Sequence, residues 1–286
     1  MGIFWMLLLA PWWVFGASVI VSVAPHKFFV EQIAKDSVTV RVMVPASATP
    51  HSYEPPPKQI LEASRADIWF RIGEGFEKKA IEAIEAHRKD FVVVDLRKGL
   101  SLILAHCDPH GDPYSNHHGD KCCCADGADL HIWLSLRLAQ IQADTIAEAL
   151  SQRYPEKAAF FAENLKAFKR TLIALDSDFK GLLAPVKGKT LLVSHPAYAY
   201  FCRDYDLYQM SLESEGKEPT PRTMTALIDK ARALHIRTIF TQAQYGVKGA
   251  KLVAELLGAR VVSLDPYSED YLSSMKEIAG AFREGL

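Results

Sequence analysis

The sequence predicts an α/β protein of two lobes, each a parallel sheet flanked by helices, joined by one long rigid helix. Three observations carry this. A strand, helix, strand rhythm fills residues 18 to 95, the same rhythm resumes after Pro185, and a single one-sided apolar helix lies between the two series.

In the first series, Ser18 to Val23, Val38 to Val44, Ile68 to Ile72 and Phe91 to Asp95 read as strands. Phe28 to Lys35, Gln59 to Ala66 and Glu77 to His87 read as the helices between them, so parallel pairing with helical crossovers is expected. Ile132 to Leu150 reads as a further helix. In the middle, Phe161, Leu165, Phe168, Leu172, Leu175, Phe179 and Leu182 alternate in steps of four and three along one helical face. This run predicts a connector from Pro155 to Ala184. The second series comprises strand Thr190 to Ser194, a helix opened by Pro196, strand Tyr208 to Leu212, a helix from Pro221 to Leu234 and strand Ile236 to Thr241. Helix Lys248 to Leu257 stops at Gly258, strand Val261 to Leu264 follows, and a last helix runs from Glu269 to Arg283. The expected organisation is a leader at 1–17, a first lobe at 18–154, the connector at 155–184 and a second lobe at 185–286.

The chain has 286 residues and is 49% hydrophobic, which is enough apolar material for two cored lobes. Its 33 Lys and Arg nearly balance 34 Asp and Glu, so charge gives no reason to expect nucleic acid or an anionic membrane surface as partner. Met1 to Phe15 is apolar and short for a bilayer span, the pattern of a secretory signal, with Val14 and Gly16 as the small residues before a cleavage site at Ala17. Basic residues before the apolar run are missing. Export to the periplasm is the expected fate, with an uncleaved membrane anchor or a buried first helix as the alternative.

Of five cysteines, Cys122, Cys123 and Cys124 are consecutive and unsuited to pairing with one another. Cys107 can reach one of them across the intervening loop, a pairing that sequence leaves open. Cys202, beside Tyr200 and Phe201, is expected to be a buried, inert thiol. The stretch 106–128 also holds His106, His110, His117 and His118 with Asp108, Asp112 and Asp120, a metal-binding composition without the paired spacing of a structural zinc module. It reads as a metal-collecting loop, with a solvated loop of no metal role as the alternative.

Four residues far apart in sequence form a second set: His51, His131, His195 and Asp265. Each follows an expected strand or precedes a helix, and in open parallel sheets ligands bind beyond the carboxyl ends of strands, so the four can converge between the lobes. Three imidazoles and one carboxylate suit Zn2+ in a tetrahedral shell, whereas Mn2+ favours more oxygen.

The segments around these residues resemble a known family. Pro50-His51-Ser52-Tyr53-Glu54-Pro55 resembles the P-H-x-Y-x-P segment of metal-binding receptors of ABC transporters, the ZnuA-like, cluster A-I family. Ile72-Gly73-Glu74-Gly75-Phe76-Glu77, Asp129-Leu130-His131-Ile132-Trp133-Leu134 and Val193-Ser194-His195-Pro196-Ala197-Tyr198-Ala199-Tyr200-Phe201 are similar to further family segments. Glu218-Pro219-Thr220-Pro221-Arg222, Ile239-Phe240-Thr241 and Leu264-Asp265-Pro266, with Tyr271 and Met275, extend the likeness through the second lobe. Gln242 departs from it, standing where many relatives have glutamate, and the loop is unusually rich in cysteine.

The resemblance implies that His51 and His131 come from one lobe and His195 and Asp265 from the other, with the metal between them. It implies an exported receptor that binds Zn2+, alternatively Mn2+ or Fe2+, and delivers it as a monomer to a membrane permease. His195 favours zinc, since members with glutamate there look like manganese binders. No catalysis is expected. A zinc hydrolase is the main rival reading, against which stand the missing H-E-x-x-H helix and the carboxylate of Asp265 at the position a catalytic site leaves to water; a surface adhesion or interaction protein with a purely structural metal is the second.

Overall fold

Each lobe repeats one arrangement of strands and helices, described in a computed structural model for residues 17–104, 127–213 and 221–286. The first lobe contains β1 (Ser18–Val21), α1 (Ala24–Ala34), β2 (Thr39–Val42), α2 (Pro57–Ala63), β3 (Ile68–Arg71), α3 (Gly75–Glu85), β4 (Val92–Asp95) and α4 (Leu136–Arg153). The connector α5 (Ala158–Leu183) leads to β5 (Thr190–Val193), α6 (Ala199–Asp204), β6 (Tyr208–Ser211), α7 (Pro221–Ala233), β7 (Thr238–Gln242), α8 (Lys248–Leu257), β8 (Arg260–Leu264) and α9 (Tyr271–Gly285). All strand pairs are parallel, in the orders β2-β1-β3-β4 and β6-β5-β7-β8. The chain therefore reverses its direction of travel across the sheet beside β1 and again beside β5, and the crevice at such a reversal is where open α/β sheets take ligands.

The predicted elements are present, with shifts that have local causes. Helix α1 starts at Ala24 rather than Phe28 because Pro25 pre-sets the first turn, and β1 is shortened accordingly. The predicted helix from Ile132 is split: residues Ile132–Leu134 form a 3-10 turn, and α4 starts afterwards with the Ser135 hydroxyl accepting from the Leu138 amide at 3.0 Å. Pro196 does not open α6, which begins at Ala199. Strand β7 begins two residues after Ile236, because His235 takes a left-handed φ of 53° and Ile236 still hydrogen-bonds back to Ala231. Gly258, at φ 61°, caps α8 as expected. No helix among the described residues is long and apolar enough to cross a membrane.

Helix α5 spans 26 residues, about 39 Å at the usual rise. Its buried face contains Phe161, Phe168, Leu172, Leu175, Phe179 and Leu183. The apolar stripe ends on Leu183, 1% exposed, whereas Leu182 is 40% exposed. A straight helix repeats every 3.6 residues, so a stripe drawn at 3.5 drifts off the buried face by its end. Along this face α5 packs against α1 and α4 of the first lobe and α9 of the second. One hydrophobic core consequently runs through both lobes, from Val19 and Phe29 through Phe168 and Phe179 to Phe201 and Phe282. The outer face of each sheet has its own smaller layer, around Trp69 and Phe76 in one and Ile239 and Val253 in the other.

Candidate metal centre

His51, His131 and His195 are brought together where the two lobes meet, at the carboxyl ends of the strands. His51 sits in the 3-10 turn Pro50–Ser52 beyond β2, and that turn is tied across the cleft by the Thr49 hydroxyl donating to the Gln244 carbonyl at 3.2 Å. His131 precedes the turn 132–134, which the second lobe also holds: Trp133 Nε1 donates to the Pro266 carbonyl at 2.8 Å and the Tyr271 hydroxyl to the Trp133 carbonyl at 2.6 Å. His195 follows β5, with the Ser194 amide extending the sheet to Phe240 and the Tyr245 ring stacked on the imidazole at 4.2 Å. The turns carrying His51 and His131 are each held by a hydrogen bond to the other lobe, and His195 by its place after β5 and by the Tyr245 ring of its own lobe.

One ligand atom from each of the three histidines lies within 4.8 Å of the other two. The Nε2 atoms of His51 and His195 are 3.3 Å apart. Two ligands on one tetrahedral zinc ion, each at 2.0–2.1 Å, stand about 3.3 Å from one another, so this pair already has the required spacing. His131 and His195 are 3% and 5% exposed. Burial first, then the neighbouring His131 and His51, hold the His195 pKa well below 6.5, which keeps its imidazole neutral and a lone pair available.

Each imidazole has a carboxylate at its other nitrogen. Nδ1 of His51 faces Glu74 Oε2 at 3.2 Å, Nδ1 of His131 faces Asp129 Oδ1 at 2.8 Å, and Nδ1 of His195 faces Glu213 Oε2 at 3.4 Å. A carboxylate at Nδ1 keeps the proton there, turns the Nε2 lone pair inward and makes it more basic toward a metal. Asp129 also accepts the His131 backbone amide at 2.9 Å, which fixes the ring at two points. Glu74 is held by the start of α3, where the Glu77 carboxylate accepts the amides of Ile72 at 2.9 Å and Gly73 at 2.7 Å. Three imidazoles ringed by carboxylates form a cradle for a small dication and offer nothing to an anion.

Asp265, the fourth residue expected from sequence, lies on the loop after β8 and is not part of the three-histidine group. Its Oδ1 accepts from Gln244 Nε2 at 2.8 Å and from the Tyr267 amide at 3.0 Å. Gln242 lies beneath the site, its Nε2 3.5 Å from the His195 carbonyl. Cys202 is buried within α6, and burial pushes its thiol pKa up, as an inert cysteine requires. His106, His110, His117, His118, Cys122, Cys123 and Cys124 lie outside the described residues, as do residues 1–16 of the expected leader. Sequence reasoning missed Glu74, Asp129, Glu213, Tyr245 and Tyr267. Only the Asp-x-His spacing of Asp129 and His131 carried a local signal.

Comparisons with known proteins agree on one family. The family described as "ZnuA: Zinc-uptake complex component A periplasmic" matches residues 19–285. A protein of Chlamydia muridarum, named only for metal binding, is 33% identical over 267 residues, covering 93% of this chain and 90% of that one. The "High-affinity zinc uptake system protein ZnuA" of Haemophilus ducreyi is 28% identical over 266 residues, covering 88% and 85%. The solved structure "Crystal structure of ZnuA" superposes with a TM-score of 0.84 at 32% identity, covering 94% of this chain and 99% of that one.

Proposed function

Because the chain belongs to the periplasmic zinc-uptake component A family, we propose that it captures Zn2+ outside the cytoplasmic membrane and hands it to the permease of an ABC transporter. His51, His131 and His195 are the proposed ligands, and Asp265 completes the shell by turning its carboxylate inward from Gln244. The observation that carries this reading is the set of three convergent imidazoles, each with a carboxylate at Nδ1.

On this reading no bond in the cargo is made or broken. The neutral imidazoles replace water around the ion, the buried walls exclude solvent, and the carboxylates offset its charge. Nitrogen-rich ligation favours zinc over manganese, while Mn2+ and Fe2+ remain cargoes the same residues can bind more weakly. The segment 106–128 acts as a secondary, lower-affinity collector, and residues 1–17 direct export. The receptor acts as a monomer.

Calorimetry on the metal-stripped protein lacking residues 1–17, titrated with Zn2+ and Mn2+ in competition, tests the proposal. Tight zinc binding that is lost in His195→Ala supports it. Preference for Mn2+, or binding indifferent to His195, overturns the zinc assignment or the cleft respectively. Removing residues 106–126 should abolish weak additional binding and leave the tight site in place.

A further inference from the structure

The Tyr267 hydroxyl stands 3.0 Å from Nε2 of His131. His131 comes from the first lobe and Tyr267 from the loop after β8 in the second, 136 residues away, so this hydrogen bond crosses the cleft. Its polarity follows from the other side of the ring. Asp129 Oδ1 lies 2.8 Å from Nδ1 and takes the imidazole proton, so Nε2 carries the lone pair and the phenol donates to it.

We infer that Tyr267 is a competitor of the metal: its hydroxyl occupies the lone pair of His131 that zinc needs, so cargo and cross-cleft hydrogen bond exclude each other. This rests on His131 being a zinc ligand. The surroundings make the competition effective. Tyr267 is 5% exposed and its ring lies against Trp133 at 5.3 Å, so the hydroxyl is held in place rather than free to leave into water. The same loop holds Asp265, whose Oδ1 accepts the Tyr267 amide at 3.0 Å. A carboxylate that turns toward the ion withdraws the acceptor from the Tyr267 amide, which loosens the segment that aims the phenol at His131. Arrival of Asp265 and departure of Tyr267 are thereby linked, and the reverse exchange returns a proton donor to His131 as the ion leaves. Tyr267 sets affinity below the maximum that the histidines offer and gives the bound ion a route out.

The test compares zinc affinity, by chelator competition, in wild type, Tyr267→Phe and His131→Ala. Phenylalanine keeps the ring and removes the donor. Tyr267→Phe should bind zinc roughly two- to tenfold more tightly, the factor that one neutral hydrogen bond represents, and should release zinc to excess chelator more slowly by a similar factor. A gain in affinity is not what a damaged fold produces, so a merely structural role does not mimic it. Equal or weaker binding in Tyr267→Phe, with His131→Ala strongly impaired, overturns the inference and leaves the site intact. A tyrosinate absorption band appearing when zinc is added to wild type would also overturn it, by making Tyr267 a ligand. Unimpaired binding in His131→Ala overturns the site and the inference together.

Discussion

Nε2 of His51 and Nε2 of His195, contributed by opposite lobes and 144 residues apart, lie 3.3 Å from one another. Two lone pairs held so close without an ion repel, and a shared dication turns that repulsion into two bonds. Replacing either residue by alanine should lower zinc affinity at least a hundredfold and leave the thermal midpoint of the metal-free protein within a few degrees of wild type. Competition calorimetry and a melting curve on the same sample check both halves, and retained affinity in either variant would remove the proposed ligand set.

Asp129 bonds His131 at both Nδ1 and the backbone amide. Asp129→Ala frees the ring to rotate and removes the charge that makes Nε2 basic. A loss of roughly 10- to 100-fold in zinc affinity is expected, with His131 itself untouched. Chelator competition at fixed pH measures it, and an unchanged constant would show that the ring is oriented by its packing alone.

Gly73 lies just before Glu74, at φ +100°, where a Cβ would come 2.3 Å from Arg97 Nη1. That guanidinium cannot easily withdraw, because Asp95 binds its Nε at 3.0 Å and its Nη2 at 2.8 Å. Gly73→Ala should therefore destabilise the protein by about 1–3 kcal/mol and weaken zinc binding as well, since the displaced Glu74 no longer faces His51. Urea unfolding and zinc titration are the readouts. Lost stability with full affinity would uncouple the turn from the site.

His26 is fully buried, donates through Nε2 to Gln142 at 2.7 Å and has its pKa pushed by burial down to about 4. An unfolded histidine titrates near 6.5, so as pH falls the unfolded chain takes up a proton first and the fold loses about 3 kcal/mol between roughly pH 6.5 and 4. Glu77 acts with opposite sign. Burial raises its pKa to about 7, so its ionisation penalty is present above that pH and fades as pH falls toward the ordinary carboxylate range. In His26→Leu the Glu77 contribution is retained and cancels in the comparison with wild type. Relative to wild type, the metal-free variant should gain about 3 kcal/mol on going from pH 7 to 4, read from urea midpoints. A difference that does not change with pH would rule out the depressed histidine.

The architecture was legible because parallel strands and amphipathic helices leave periodic traces. Val19 and Ile20 sit inside an apolar run as a strand covered on both faces should, and Phe161 to Phe179 keep helical spacing over almost the whole of α5. That the three histidines meet was legible because His51 and His195 follow strands, whose ends mark the carboxyl edge of a sheet, and His131 precedes a helix. The carboxylates behind them were not, apart from the neighbouring Asp129. Glu74 is 23 residues from His51 and Glu213 is 18 from His195, separations set by how adjacent strands end in space. Asp265 shows the converse. Sequence offers it as a fourth ligand, while its carboxylate hydrogen-bonds Gln244, a contact that nothing local announces.

The 26-residue α5 packs on α1, α4 and α9, so one unbroken apolar core joins both lobes. A wide clamshell opening would tear that core and expose its aromatic rings to water. On the proposed function, loading therefore changes the outer shape only slightly, and a permease docking on the protein meets nearly the same contour whether or not it carries cargo. Discrimination must then be made after docking, at the rim of the cleft, and vacant receptors will compete with filled ones for the transporter. Uptake should consequently saturate, and even decline, when the receptor is made in large excess over the metal it can find.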